Sequence, residues 1–280
     1  MKTGPKGKAY RAGTRPPAWK WLDTRPAKWF YEPERVVKRT VLIFLAITVA
    51  FFTLGPVFHE AGAESVALRP VERVVIDPGH GGDNRGTMGI GGLTESRLTI
   101  ALARQLKSVL ETELGLKVSL TRQSDEDVPL YDRTATGNRV RGDVFLSLHA
   151  GGGVQPSISG VRVYCQDYKL QQGVNLSTLP AAGQPVPWDL AQAPYLGASR
   201  RLAEELSKAL AGALQSESRP VTGLPLTVLG GVAFPAVLVE VGYLSNPEEE
   251  RRLMDQAYRD QIVRGLVNGL RAYMAWVQKQ

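Results

Sequence analysis

From about residue 70 onward the chain alternates short apolar runs with stretches of helical period, and that alternation leaves little choice of fold. The runs at 73–77, 117–121, 143–149, 161–165, 226–229 and 236–241 read as strands. Between them, segment 95–114 places Leu98, Leu102, Leu106, Val109 and Leu110 on one helical face. Gly115 follows it as a C-terminal glycine should. Further helices are predicted over 130–140, 198–214 and 258–276. Asn246-Pro247-Glu248-Glu249 marks one more helix start, with a cap, a proline at the first position and a glutamate three residues on. Strands alternating with helices predict a single α/β domain over 72–278. Its sheet is twisted, mostly parallel or mixed, and covered by helices on both faces. Residues 166–197 interrupt the pattern. They are rich in Gln, Pro and Gly and include Trp188 and Tyr195. So long a connection is functional or disordered: a lid, a wall of a substrate groove, or a mobile surface insertion. The single cysteine, Cys165, sits in an apolar strand pattern and reads as a core residue.

The net charge of +7 looks like a nucleic-acid signal until it is located. Residues 1–40 carry eleven Lys/Arg against three Asp/Glu, which leaves 23 basic and 24 acidic side chains on the rest. The body is neutral, so no basic face for nucleic acid is expected. The composition of 1–40 predicts a disordered, Pro-rich basic tail. An uncharged apolar run follows at 41–58. A bilayer span takes roughly 17–25 such residues, and the preceding Lys38-Arg39 places the N-terminal side in the cytoplasm. The expectation is a single-pass anchor in the cytoplasmic (inner) membrane, a linker at 59–71, and an extracytoplasmic catalytic domain facing the periplasm. The alternative is a cleaved signal peptide, with Ala61-Gly62-Ala63 as the processing site and secretion to the periplasm. His59, just after the run, is given no catalytic part.

Four separated positions carry the chemistry. His80 lies in Asp77-Pro78-Gly79-His80-Gly81-Gly82, Glu95 follows Leu93-Thr94, His149 ends the run 143–149, and Glu240 ends the run 236–239. In open α/β sheets sites are built at the carboxyl ends of strands. Two His and one Glu form a common catalytic zinc set with one position left open for water, and Glu240 is then the base. Each position also has a plainer reading. The histidines can be structural, and Glu95 can simply favour a helix start through the dipole. Glu240 can pair with an arginine such as Arg122 or Arg133. Asp77 serves either the turn or the orientation of His80. The glycines of 79–92 match no nucleotide-binding loop and read as turns that shape the site.

Taken together, in this order and spacing, these motifs resemble the zinc-dependent N-acetylmuramoyl-L-alanine amidases of bacterial cell walls, the type 3 amidases. The likeness covers about 74–273 and includes 76–82, Thr94-Glu95, 118–122, 133–138, 145–150 and 235–246. It implies that His80, Glu95 and His149 ligate Zn2+ and that Glu240 is the catalytic glutamate. It implies hydrolysis of the amide between the lactyl group of N-acetylmuramic acid and L-alanine of the stem peptide. Peptidoglycan is then the substrate, and the resemblance leaves room for a protein activator. The rivals are a peptidoglycan-binding regulator without catalysis on the same fold, and a zinc peptidase cutting another stem-peptide bond. An arginine at the site that binds the terminal carboxylate of a peptide favours the peptidase. Two departures bear on substrate contacts: Gly151 stands where members often carry Asn, and Gly230 where many carry Arg. Some members are blocked by a helix in the stretch corresponding to 166–197. No helical period is visible there, so such a helix is not expected.

Overall fold

In a computed structural model, which describes residues 67–169, 174–176 and 185–280, the predicted α/β architecture is present. The strands are β1 (Arg73–Pro78), β2 (Lys117–Leu120), β3 (Val144–Gly151), β4 (Arg162–Gln166), β5 (Thr222–Leu224) and β6 (Ala236–Tyr243). The helices are α1 (Glu95–Leu114), α2 (Leu130–Arg139), α3 (Leu196–Ala213), α4 (Thr227–Gly230), α5 (Pro247–Met254) and α6 (Gln256–Val277). The tail 1–40 and the apolar run 41–58 lie outside the described residues, as does His59. Among the described residues no helix is long and apolar enough to cross a membrane.

The sheet order is β2-β1-β3-β6-β4-β5. Neighbours are parallel except β4, which runs antiparallel to β6. The central strands are covered on both faces, which is why β1, β3 and β6 read as continuous apolar runs. One face packs Val74, Ile76, Leu146, Leu148, Val237 and Val239 under α1, α3 and α6. Leu102, Leu106, Leu206, Leu210, Leu266 and Leu270 are wholly buried there, and each contributes roughly 1.5–3 kcal/mol. The other face is thinner: Val75, Phe145 and Leu238 meet Leu229, Val232 and Phe234 from α4 and the loop after it. Cys165 is buried, as expected.

Helix α1 begins and ends where its pattern does, closing on Gly115 at φ 64°. The cap of α5 also forms: Asn246 accepts hydrogen bonds from the N–H groups of Glu248 and Glu249. Glu249 departs from the capping box. Its carboxylate accepts from Gly160 and Tyr243 N–H instead of reaching back to the cap. One strand was misplaced. Residues 226–229 are not a strand; Thr227–Gly230 is the short helix α4, and the edge strand is Thr222–Leu224. A four-residue apolar run has too little length to show its period. Here Val228 and Leu229 are buried by a helical turn instead of a ladder.

Candidate metal and catalytic centre

The site sits at the carboxyl ends of β1, β3 and β6. His80 follows β1 directly and adopts φ 59°, a left-handed conformation rare for a residue with a side chain. Such strain persists only where the surroundings over-determine it, and here two buried arginines do so. Arg133 donates to Asp77 Oδ1 at 2.9 Å, to Pro78 O at 2.7 Å and to His80 O at 2.7 Å. Arg122, 1% exposed, donates to Pro78 O at 2.9 Å and to Gly79 O at 3.0 Å. Neither touches Glu240, so the ion-pair reading of that residue fails: both guanidinium groups are consumed by the turn. Asp77 belongs to the same scaffold. It accepts from Thr121, Arg133 and Ser147. It does not orient the His80 ring. That role falls to Asn84, whose Oδ1 lies 2.8 Å from His80 Nδ1, leaving Nε2 to face the centre. Sequence reasoning missed Asn84; the available signal was an amide side chain four residues after a candidate ligand histidine in the same turn.

Glu95 opens α1 at 3% exposure and is the hub. Its Oε1 accepts from Ala150 N–H at 3.0 Å and lies 2.9 Å from His149 Nδ1. Its Oε2 accepts from Thr87 N–H at 2.9 Å and lies 3.2 Å from His80 Nε2. Ligand atoms of His80, Glu95 and His149 all fall within 4.8 Å of one another. A tetrahedral zinc site with bonds of about 2.0–2.1 Å has donors roughly 3.3 Å apart, so the His80–Glu95 pair already has that spacing. The electrostatics agree. Burial alone would raise the Glu95 carboxyl, but hydrogen bonds from His149 and His80 hold it well below the ordinary range. The hydrogen bond to Glu95 in turn raises His80. The cluster favours positive charge at its centre, and the donor set suits a dication of the zinc type.

Glu240 is the Cα partner of His149 across the parallel β3–β6 ladder. Its Oε2 is enclosed and has no hydrogen-bond partner. Burial pushes its carboxyl up to about 7, the range in which a general base operates best near neutral pH. The ladder shifts register between His149 and Gly151, a bulge of the kind that re-aims side chains beside active sites. At Gly151 a Cβ would stand 2.6 Å from the Tyr243 ring and 3.3 Å from Glu240 Oε2, so a larger residue does not fit this arrangement.

A cleft of about 230 Å³ leads to the centre, lined among others by His80, Asn84, Asp127, Leu130, His149 and Val228. The described end of the 166–197 insertion packs on α2 and on the segment around α4. Trp188 stacks on Tyr131 with ring centroids 4.6 Å apart. Gln192 donates to Val232 O and Phe234 O, and Tyr168 donates to Asp189 O. Gly230 and Gly231 make room for this packing, since a Cβ on Gly231 would lie 2.1 Å from the Trp188 indole. Within the described part of the insertion Trp188–Leu190 and Ala193–Tyr195 form short 3-10 turns, and α3 begins at Leu196.

Residues 74–272 match the family described as N-acetylmuramoyl-L-alanine amidase (Amidase_3). The amidase AmiA of Escherichia coli (strain K12) is 31% identical over 225 residues, covering 74% of this chain and 78% of AmiA. AmiC of Neisseria meningitidis serogroup B is 33% identical over 223 residues, 74% of this chain and 53% of AmiC. The catalytic domain of the amidase CwlV from Bacillus (Paenibacillus) polymyxa superposes with a TM-score of 0.60 at 28% identity, covering 73% of this chain and 99% of that domain. The chain therefore belongs to the N-acetylmuramoyl-L-alanine amidase family and is an amidase, a hydrolytic enzyme.

Proposed function

We propose that the chain hydrolyses, with zinc, the amide between the lactyl group of N-acetylmuramic acid and L-alanine of the peptidoglycan stem peptide. The observation that carries this reading is the pairing of a three-donor cluster, His80, Glu95 and His149, with an unpartnered buried carboxylate on the adjacent strand. Family membership supports the choice of bond. His80, Glu95 and His149 would hold the ion. When bound, zinc supplies the charge that polarises a carbonyl and acidifies a water.

The chain's own residues do the rest. Glu240, raised toward 7 by burial, accepts a proton from the attacking water and returns it to the departing alanine nitrogen. Its freedom from any ion pair among the described residues keeps it available for both transfers. Arg133 and Arg122 fix the His80 turn so that the donor spacing exists before substrate arrives. A regulator without catalysis is disfavoured by the presence of all four positions. We place the reaction outside the cytoplasmic membrane, where peptidoglycan lies, with the apolar run 41–58 as the anchor.

The test is mass spectrometry of soluble products after the full-length chain, zinc-loaded or chelated, meets intact peptidoglycan. Stem peptides beginning at L-alanine, absent after chelation, are the expected result. Products beginning at another residue would transfer the assignment to a zinc peptidase.

A further inference from the structure

Two enclosed side-chain polar atoms near this centre lack partners, and they belong to neighbouring residues. They are Glu240 Oε2 and Arg162 Nε. Arg162 opens β4 and is the Cα partner of Glu240 in the antiparallel β4–β6 ladder. Directly opposed residues put their side chains on the same face of a sheet, and opposite charges so placed ordinarily pair. These do not. Among the described residues Arg162 has no ion pair; its guanidinium carbon instead lies 5.9 Å from the centroid of the Tyr243 ring. The same ring lies against Gly151, the position from which Glu240 Oε2 is also approached. A cation over an aromatic face is held electrostatically without its hydrogen-bond donors being used. Because β4 runs antiparallel to β6, Arg162 stands at the same end of the sheet as His149 and Glu240. It is partly open to solvent there.

A guanidinium offers five donors in a planar fork that matches a carboxylate. With its carbon over the Tyr243 ring and no ion pair among the described residues, the solvent-open part of that fork is free to meet a ligand group. We propose that Arg162 is a specificity-determining residue of the amidase, binding a free carboxylate of the stem peptide close to the scissile amide. This rests on the amidase reading above. In a stem that runs L-alanine to D-glutamate and continues through the glutamate side chain, the glutamate α-carboxyl is the first anion after the cut. It lies within roughly 7 Å of the scissile bond, two residues of extended chain. Opposed cross-strand side chains start roughly 5 Å apart at Cβ, so a substrate seated at Glu240 brings that anion within reach of Arg162. The free acid accepts two charge-assisted hydrogen bonds from the fork. The α-amide offers one neutral acceptor and turns N–H donors toward a donor.

The experiment compares N-acetylmuramoyl-L-alanyl-D-glutamate with its α-amide, using the zinc-loaded full-length chain and identifying products by mass. The expected result is a lower KM for the acid, by roughly 10- to 100-fold as for hydrogen bonds to a charged group, with similar kcat. Arg162→Gln cancels that preference by raising KM for the acid, and Arg162→Lys, which keeps charge but not the fork, restores part of it. Equal KM values in the wild type overturn the proposal, and so does a preference that survives Arg162→Gln. A variant that loses kcat equally on both substrates, with a displaced pH profile, also overturns it and makes Arg162 a positioning residue for Glu240. Cleavage of neither compound, with zinc bound, removes the amidase reading and the proposal with it.

Discussion

The two sides of the centre are built on opposite plans. On the β1 side the His80 turn is saturated: Arg122, Arg133, Asp77, Thr121, Ser147 and Asn84 bond it from every direction. On the β6 side Glu240 and Arg162 face the same end of the sheet with atoms left unpartnered. The contrast separates holding from reacting. Groups that fix geometry are satisfied before any ligand arrives, whereas the groups we propose to exchange protons or meet substrate are left with free capacity. That capacity has a cost, because an enclosed unpaired polar atom destabilises the fold.

The comparison breaks most severely if the saturated side can lose a member cheaply. Arg133→Ala strips Asp77 and His80 O of buried partners. It is expected to destabilise the chain by about 3–5 kcal/mol in denaturant titration and to weaken zinc binding. Arg133→Lys is expected to recover little, because three acceptors need the fork. A loss below about 1 kcal/mol would show the turn to be held by something else.

The free side should behave in the reverse sense. The Glu240 carboxyl lies near 7 in the folded chain, against an ordinary value of 4.5. Between those values the folded chain keeps a proton that the unfolded chain has released. Stability of the chelator-treated protein therefore falls as pH rises through that window, and the deficit is complete above it. Glu240→Gln is expected to stabilise the metal-free chain at pH 8 by about 1–3 kcal/mol and to have little effect at pH 4.5. A melting-temperature gap that does not change with pH would contradict this.

Two smaller effects sharpen the boundary between the plans. Asn84→Ala removes the outer partner of a ligand histidine and is expected to lower zinc affinity roughly 10- to 100-fold in competition with a chromophoric chelator. An unchanged affinity would mean that the strained turn alone orients the ring. Asn246→Ala, which removes the α5 cap, is expected to lower stability by about 1 kcal/mol with zinc content and turnover intact. A change in turnover would tie the α5 cap to the site.

Much of this was legible in the sequence, for identifiable reasons. Buried parallel strands announce themselves as unbroken apolar runs, and a leucine every fourth residue announces α1. The candidate residues were visible because histidines are scarce and fall at strand ends. What stayed hidden depends on partners distant in sequence. That β4 runs against β6 follows from a short connection after β3 with no helix in it, too short for a parallel crossover, and only this reversal places Arg162 opposite Glu240. The destinations of Arg122 and Arg133 were equally invisible, since a buried carboxylate and a strained carbonyl attract an arginine alike. Asn84 was overlooked among glycines that read as turn formers. Helix α4 was misread because four residues show no period.

In the mechanism we propose, holding the metal and moving the proton are separate tasks that fall to separate residues. Zinc content and turnover of Glu240→Gln, measured beside His149→Ala on the same full-length chain, test it most directly. Glu240→Gln is expected to bind one zinc per chain with wild-type affinity while turnover falls roughly 100- to 10,000-fold, the range of a lost general base. His149→Ala is expected to lose both. A Glu240→Gln enzyme that keeps its turnover, or that loses its zinc as His149→Ala does, would contradict it.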